Sequence, residues 1–381
     1  MKAVVCRESA LHVEEIARPE PGPGQILVRV LRAGICGSDL HARVHAEELA
    51  AIAGEMGYDE VMRAGTSVVF GHELVGEVVS YGPKTRGRWR PGTMVTALPV
   101  RRDRSSSHMI GFEAGAPGAY AEYTVVQESF TFPVPGGLDV ERAAFTEPLA
   151  VAWHAVRRGA VGKGRPAVVI GCGPIGLAII LMLKAAGVKQ VVASDLSPAR
   201  RALATECGAD VVVDPRETSP WTAYRAKGQV TSPAAYANFG IGALAMVRRV
   251  PFLPWEKAML HAERLGQAPT GPVVFECVGV PGMIEQITTA APLRTRVVVV
   301  GVCMEADTFR PAVPLHKEID LHFVFGYDPA EFHQTLQMLA DGKVDPTPLH
   351  TGTVGLAGVE QAFADLGNPE VHAKILIDPS R

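Results

Sequence analysis

Short runs of β-branched and aliphatic residues, broken by Gly/Pro turns, dominate the first 150 positions. Residues 25–31, 74–80 and 94–97 are the clearest runs, and Pro21-Gly22-Pro23-Gly24 and Arg90-Pro91-Gly92 punctuate them. This pattern predicts a small, partly closed antiparallel barrel. From about residue 165 the spacing changes. Residues 167–170 read as a buried strand, a Gly-rich turn follows, and residues 175–186 read as an apolar helix that Gly187 terminates. Further strand-like runs lie at 190–193, 210–213, 273–276, 296–300 and 322–325, and the last segment carries a helix at 330–339 and a strand at 373–377. Strands alternating with helices predict an α/β fold with a doubly wound parallel sheet and helices on both of its faces. Two stretches do not fit either scheme. Residues 42–67 look like an insertion, helical around 47–62. Residues 215–271 are too long for one crossover and are expected to form a packed helical embellishment.

Composition narrows the function classes. The 381 residues carry 37 Lys and Arg against 40 Asp and Glu, a net charge of −3, so no basic excess is available for nucleic acid. No apolar run is long enough to cross a bilayer, and the first six residues read as a strand rather than as the charged head of a signal peptide. The six cysteines are widely spaced with no CxxC pair, which points to a reducing cytoplasm rather than a disulfide framework.

Gly171-Cys172-Gly173-Pro174-Ile175-Gly176 fits GxGxxG in the context the motif needs, after a strand and before a helix. Gly171 permits the tight turn, Gly173 lets backbone approach a pyrophosphate, and Gly176 lets helix and strand pack closely. The phosphates would face the free N–H groups of the helix N-terminus. Asp195, about 20 residues on, ends the next strand, where a carboxylate binds ribose hydroxyls and repels a 2′-phosphate. NAD is therefore favoured over NADP, although Arg200 or Arg201 could hold that phosphate.

Three separate stretches carry metal-ligand chemistry. Cys36 opens Cys-Gly-Ser-Asp-Leu-His41, His72 sits in Gly71-His72-Glu73, and Glu147 sits in Thr146-Glu147-Pro148-Leu149. A thiolate, an imidazole and a carboxylate form a three-ligand zinc site with one open position, in which the ion stays a Lewis acid. A permanent fourth ligand in Glu73 would make the site net negative, so Glu73 is expected to support the ligands or to swing away.

In this order, these motifs resemble the zinc-dependent medium-chain dehydrogenase/reductase superfamily, of the alcohol and polyol dehydrogenase type, over nearly the whole chain outside the two insertions. The resemblance implies a GroES-like catalytic domain (1–151 and 329–381) and a Rossmann-type NAD-binding domain (152–328) carrying the 215–271 insertion. It implies zinc on Cys36, His72 and Glu147, substrate contact by Ser38, proton relay by His41, and Arg200 beside Asp195. Further cofactor contacts are implied near Cys277, Val278, Gly301 and Val302. Relatives with a structural zinc carry four close cysteines in the lobe corresponding to residues 100–120. This lobe has none, so one catalytic ion is expected and no structural zinc, with Arg101, Arg102, Asp103 and Arg104 as solvated surface. The expected activity is hydride transfer between a secondary alcohol, polyol or sugar and NAD, giving an aldehyde or ketone. The expected assembly is a homodimer or homotetramer, paired through the strand at 322–325. The alternatives are a zinc-independent NADPH-dependent enone or quinone reductase and a non-catalytic NAD-binding protein. Neither needs Cys36, His72 and Glu147 together.

Overall fold

The computed structural model describes residues 1–103, 106–224, 230–264 and 270–381. They divide into two compact units, residues 1–154 with 326–381, and residues 155–325. The expected solvated Arg104 and parts of the 215–271 insertion lie outside the described residues.

The first unit begins with a hairpin, β1 (Lys2–Arg7) and β2 (Ala10–Glu15), turned by Glu8 and Ser9 at positive φ. The long β3 (Gln25–Gly34) leads into α1 (Gly37–Val44) and α2 (Ala46–Glu55). After β4 (Val68–Val69) come β5 (Glu73–Tyr81), β6 (Met94–Ala97), the hairpin β7 (Val100–Asp103) and β8 (Ser106–Met109), then β9 (Tyr123–Gln127) and β10 (Thr131–Pro133). Two helices follow, α3 (Val140–Ala143) and α4 (Thr146–Gly159).

The second unit alternates strand and helix: β11 (Ala167–Ile170), α5 (Pro174–Ala185), β12 (Val191–Ser194), α6 (Pro198–Glu206) and β13 (Val211–Val213). The insertion supplies α7 (Pro233–Val247) and α8 (Trp255–Arg264). Then come β14 (Val273–Glu276), α9 (Met283–Ala290), β15 (Arg296–Val299), α10 (Ala312–His316) and β16 (Asp320–Phe323). The chain returns to the first unit with α11 (Pro329–Ala340), β17 (His350–Val354), α12 (Val359–Leu366) and β18 (Lys374–Ile377).

Among the described residues the second unit holds a six-stranded sheet in the order β13-β12-β11-β14-β15-β16, parallel throughout. Its central strands are apolar on both faces, because helices cover both, and β12 and β14 are buried at every position. In the first unit β3 is antiparallel to β5, β9 and β18, which curls the sheet around a core that includes Ile26, Val28, Phe70, Leu74 and Tyr120. The α/β class and the parallel sheet are as the strand–helix alternation implied.

Four local expectations need correction. The helix expected over 47–62 stops at Glu55, because Gly57 takes φ +86°. The Tyr58 N–H donates to the Ala53 carbonyl (2.9 Å) and the Gly57 N–H to that of Gly54 (3.0 Å), closing the last turn. The edge strand expected at 322–325 runs over Asp320–Phe323, since its ladder to β15 starts by pairing Arg296 with Asp320. Arg101 is not solvated: its guanidinium is largely buried, donates to the Gly115 carbonyl and lies 3.1 Å from Asp103. In the insertion, Tyr224 and Trp221 join the core of the second unit, but α7 buries no residue and exposes Phe239, Ile241 and Met246. Its apolar residues are distributed around the helix, so no polar side is left to face water.

Candidate catalytic centre and nucleotide-binding turn

Cys36 follows β3 and occupies the N-cap of α1, with Asp39 in the first helical turn. The Cys36 N–H donates to Asp39 Oδ2 at 2.9 Å, and the Tyr120 hydroxyl donates to the same oxygen at 2.6 Å. Asp39 is fully buried, and its Oδ1 lies 3.2 Å from Nδ1 of His72. Burial alone would raise the Asp39 carboxyl, but the imidazole beside it, Tyr120 and the Cys36 N–H together hold it below the usual carboxylate range. An imidazole whose Nδ1 faces a carboxylate keeps Nε2 for another partner. Here Ser38 Oγ lies 3.3 Å from Nε2. Phe112 packs on the same ring, centroids 5.0 Å apart.

Gly71 makes the approach to His72 possible. It adopts φ +105°, and a Cβ there would meet the Tyr120 ring at 2.6 Å and the Ala119 nitrogen at 2.8 Å. Glu73 opens β5 directly opposite Gly34, where any Cβ would collide with its Oε2. Glu73 is fully buried; Lys374, from the start of β18, donates to Oε1, while Oε2 is buried with no hydrogen-bond partner. Cys36, His72 and Glu73 each place a donor atom within 4.8 Å of the other two. Glu147, in the first turn of α4, is buried but does not belong to that close group. Burial pushes its carboxyl up to about 7, opposed by the His72 charge, reinforced by Glu73, and eased by Tyr327 and Lys374.

Sulfur, nitrogen and oxygen donors around a buried, unpartnered carboxylate oxygen suit a divalent cation such as zinc, and two buried carboxylates near one lysine leave negative charge to neutralise. Ser38 is exposed. His41, one turn further along α1, is also exposed, though partial desolvation and neighbouring His45 hold it below its ordinary value. Four contributors were not singled out from the sequence: Asp39, Tyr120, Tyr327 and Lys374. Asp39 lies inside the CGSDLH motif and was the most accessible of them. Lys374 is 301 positions from Glu73 and gave no local signal.

The second unit presents its own site. Gly171 has φ +88°, and a Cβ on Gly176 would fall 1.9 Å from the Gly171 carbonyl oxygen. Gly173 is the N-cap of α5, Pro174 is at its first position, and both are half-buried, as is Ile175. Asp195, just after β12, accepts from the N–H groups of Cys172 (2.6 Å) and Ser197 (2.8 Å). Arg200 approaches Gly173: a Cβ there would lie 3.9 Å from its guanidinium carbon, and its Nε is buried without a partner. An open glycine turn at a helix N-terminus with a guanidinium beside it suits a dinucleotide pyrophosphate. After β14 and β15, Gly279 approaches Gly301 and Val302 so closely that a Cβ would meet Val302 O at 2.7 Å. Val278 and Val302 are exposed and Cys277 is buried.

The alcohol dehydrogenase GroES-like domain family matches residues 22–136, and the zinc-binding dehydrogenase family matches residues 174–232. Sorbitol dehydrogenase of Bos taurus is 30% identical over 375 residues, covering 95% of this chain and 92% of that protein. The chain belongs to the zinc-dependent medium-chain dehydrogenase/reductase superfamily. (R,R)-Butanediol dehydrogenase of Bacillus subtilis (strain 168) is 29% identical over 379 residues, 97% of each chain. The crystal structure of 2R,3R-butanediol dehydrogenase from Bacillus subtilis superposes with a TM-score of 0.75 at 28% identity, covering 99% of both chains. As a member of this superfamily the protein is an NAD(P)-dependent oxidoreductase of CH–OH donors that uses zinc. Among the described residues no helix is long and apolar enough to cross a membrane.

Proposed function

We propose that this enzyme interconverts a secondary alcohol of a vicinal diol or polyol and the corresponding ketone, with NAD as hydride acceptor. The observation that carries this reading is the buried set of sulfur, nitrogen and oxygen donors on Cys36, His72 and Glu73, with Glu147 beside it. The substrate class is supported by two relatives whose names specify a vicinal diol and a polyol.

Cys36, His72 and Glu147 would hold the zinc, which when bound would supply Lewis acidity to an alcohol oxygen, while NAD would supply the hydride acceptor. Lys374 engages Glu73 Oε1 and so holds this carboxylate back as a supporting group, which keeps the site from becoming net negative. Asp39 orients the His72 ring through Nδ1. Ser38 Oγ, exposed beside His72, accepts the hydroxyl proton of the substrate. His41, exposed on α1 and held below its ordinary value by partial desolvation and by His45, would receive that proton for release to solvent. In the second unit the Gly171–Gly176 turn would hold the pyrophosphate, Asp195 the ribose hydroxyls, and Arg200 the nearby phosphate, with Val278 and Val302 beside the cofactor. Asp195 favours NAD over NADP. The edge strand β16, with exposed Phe323 at its end and exposed Phe325 just after it, supports a homodimer or homotetramer. The six free cysteines support a cytoplasmic location.

The test is NADH formation across vicinal diols, polyols and monohydric alcohols, with wild type and Cys36→Ser. Diols and polyols are expected to turn over best, and Cys36→Ser to lose turnover while retaining NADH binding. Oxidation at the parental rate by Cys36→Ser, or no oxidation of any alcohol by wild type, would overturn the reading.

A further inference from the structure

A second group of donor atoms lies in the first unit, apart from the Cys36–His72–Glu73 group. Glu60 follows α2 in the 42–67 insertion, His108 is on β8, and Glu113 is in the turn after it; one oxygen of each carboxylate and one His108 nitrogen lie within 4.8 Å of one another. Nδ1 of His108 is 2.7 Å from Glu113 Oε2 and 3.4 Å from Glu60 Oε2. The other Glu113 oxygen, Oε1, accepts the Met109 N–H at 2.8 Å. Glu113 and His108 are buried, 2% and 8% exposed, whereas the Glu60 side chain is 68% exposed.

A hydrogen bond alone does not account for this arrangement. One Nδ1–H can serve one carboxylate, and Glu113 already has it at the shorter distance. Glu60, free to extend into water, instead brings a second negative oxygen to the same nitrogen and to a buried carboxylate. A cation at the point of convergence removes that repulsion. All three donor atoms lie within 4.8 Å of one another, close enough to converge on one ion, whose tetrahedral ligands at about 2.0–2.1 Å stand roughly 3.3 Å apart. Imidazole nitrogen with two carboxylates selects a zinc-class ion; calcium requires six to eight oxygens and magnesium keeps its water shell.

We propose that Glu60, His108 and Glu113 form a second divalent-cation site, of zinc class, completed by water. The expected absence of a structural zinc followed from the absence of cysteines, and this site needs none. It staples the insertion to the β7–β8 lobe where the Met62 N–H already donates to the Phe112 carbonyl at 2.8 Å. Phe112 is the residue whose ring packs on His72, so the staple steadies one wall of the catalytic centre without touching substrate.

The experiment loads the full-length protein with zinc, removes loosely bound ion and measures zinc per chain by plasma mass spectrometry, alongside thermal unfolding. Wild type is expected to hold two ions, His108→Gln one, Cys36→Ser one and the double variant none. Glu60→Gln, at an exposed position, is expected to lose the second ion and the part of the zinc-dependent rise in Tm that it provides while its Tm without zinc stays at the wild-type value. Equal zinc content in wild type, His108→Gln and Glu60→Gln overturns the proposal. A Cys36→Ser variant that loses no zinc counts against the catalytic assignment and leaves this one standing, so the two failures are distinguishable.

Discussion

Asp39 makes no contact that hydrophobicity would predict, yet it is fully buried and joins Cys36, Tyr120 and His72. A carboxylate behind a ligating imidazole fixes the ring and raises its basicity, and removing it lowers metal affinity or activity by about 10–100-fold. Asp39→Asn is therefore expected to reduce kcat and zinc retention by about that factor while NADH binding is unchanged; equal zinc retention after dialysis against a mild chelator would refute this role. Lys374 poses a sharper test. Replacing it by Met leaves Glu73 buried without its countercharge, at about 3–5 kcal/mol for breaking a buried pair. Denaturant unfolding of Lys374→Met should show that loss, and Lys374→Met with Glu73→Gln should recover much of it. If the double variant is no more stable than the single, the pair is not what holds Glu73. These two residues also mark what could be read from the chain. Cys36, His72, Glu147 and the glycine turn announce themselves, because each sits in a short motif whose residue types have few other uses together. Lys374 and Tyr327 do not, because only the fold brings them to the site and a lone Lys or Tyr in sequence is uninformative.

At the level of elements, the tightest constraints fall on two glycines. Gly176 lies where α5 crosses the end of β11, and Gly71 turns β4 into His72. Gly176→Ala puts a methyl 1.9 Å from the Gly171 carbonyl, so helix and strand must separate. The expected result is loss of NADH binding, read by fluorescence titration, with metal content unchanged; an unchanged Kd would show that the turn does not hold the pyrophosphate. The alternation of strands and helices was legible because fully buried parallel strands leave unmistakable apolar runs, and residues 167–170 and 273–276 coincide with β11 and β14. The helix α1 was not, since Gly37, Ser38 and Asp39 favour turns and caps when read locally. Nor was the end of α2, where Ala and Glu continue to look helical until Gly57 takes a left-handed conformation. Arg101 was misread for the complementary reason: charge suggests solvent, and its burial depends on the Gly115 carbonyl that only the folded lobe supplies.

For the molecule as a whole, the edge of the parallel sheet is the feature most exposed to association. Phe323, the last residue of β16, and Phe325, two residues beyond it, are 66% and 80% exposed, and the outer side of β16 pairs with no strand among the described residues. An apolar, unprotected edge favours pairing with another chain. Phe325→Asp is expected to shift the mass measured by light scattering towards the monomer, and an unchanged mass would exclude β16 as the contact. The division into units has a temporal consequence. Residues 155–325 are contiguous, whereas the first unit combines residues 1–154 with 326–381 and places β18 against β3. Glu73 leaves the ribosome 301 residues before Lys374, roughly 15–60 s at usual elongation rates. Throughout that interval the nascent catalytic half lacks both a sheet neighbour and the ammonium that neutralises its carboxylate, while the whole nucleotide-binding half is synthesised in between. Translation speed and early chaperone capture thus bear on the yield of this enzyme, and Lys374 belongs to its active centre as much as Glu73, made 301 residues earlier at the start of β5.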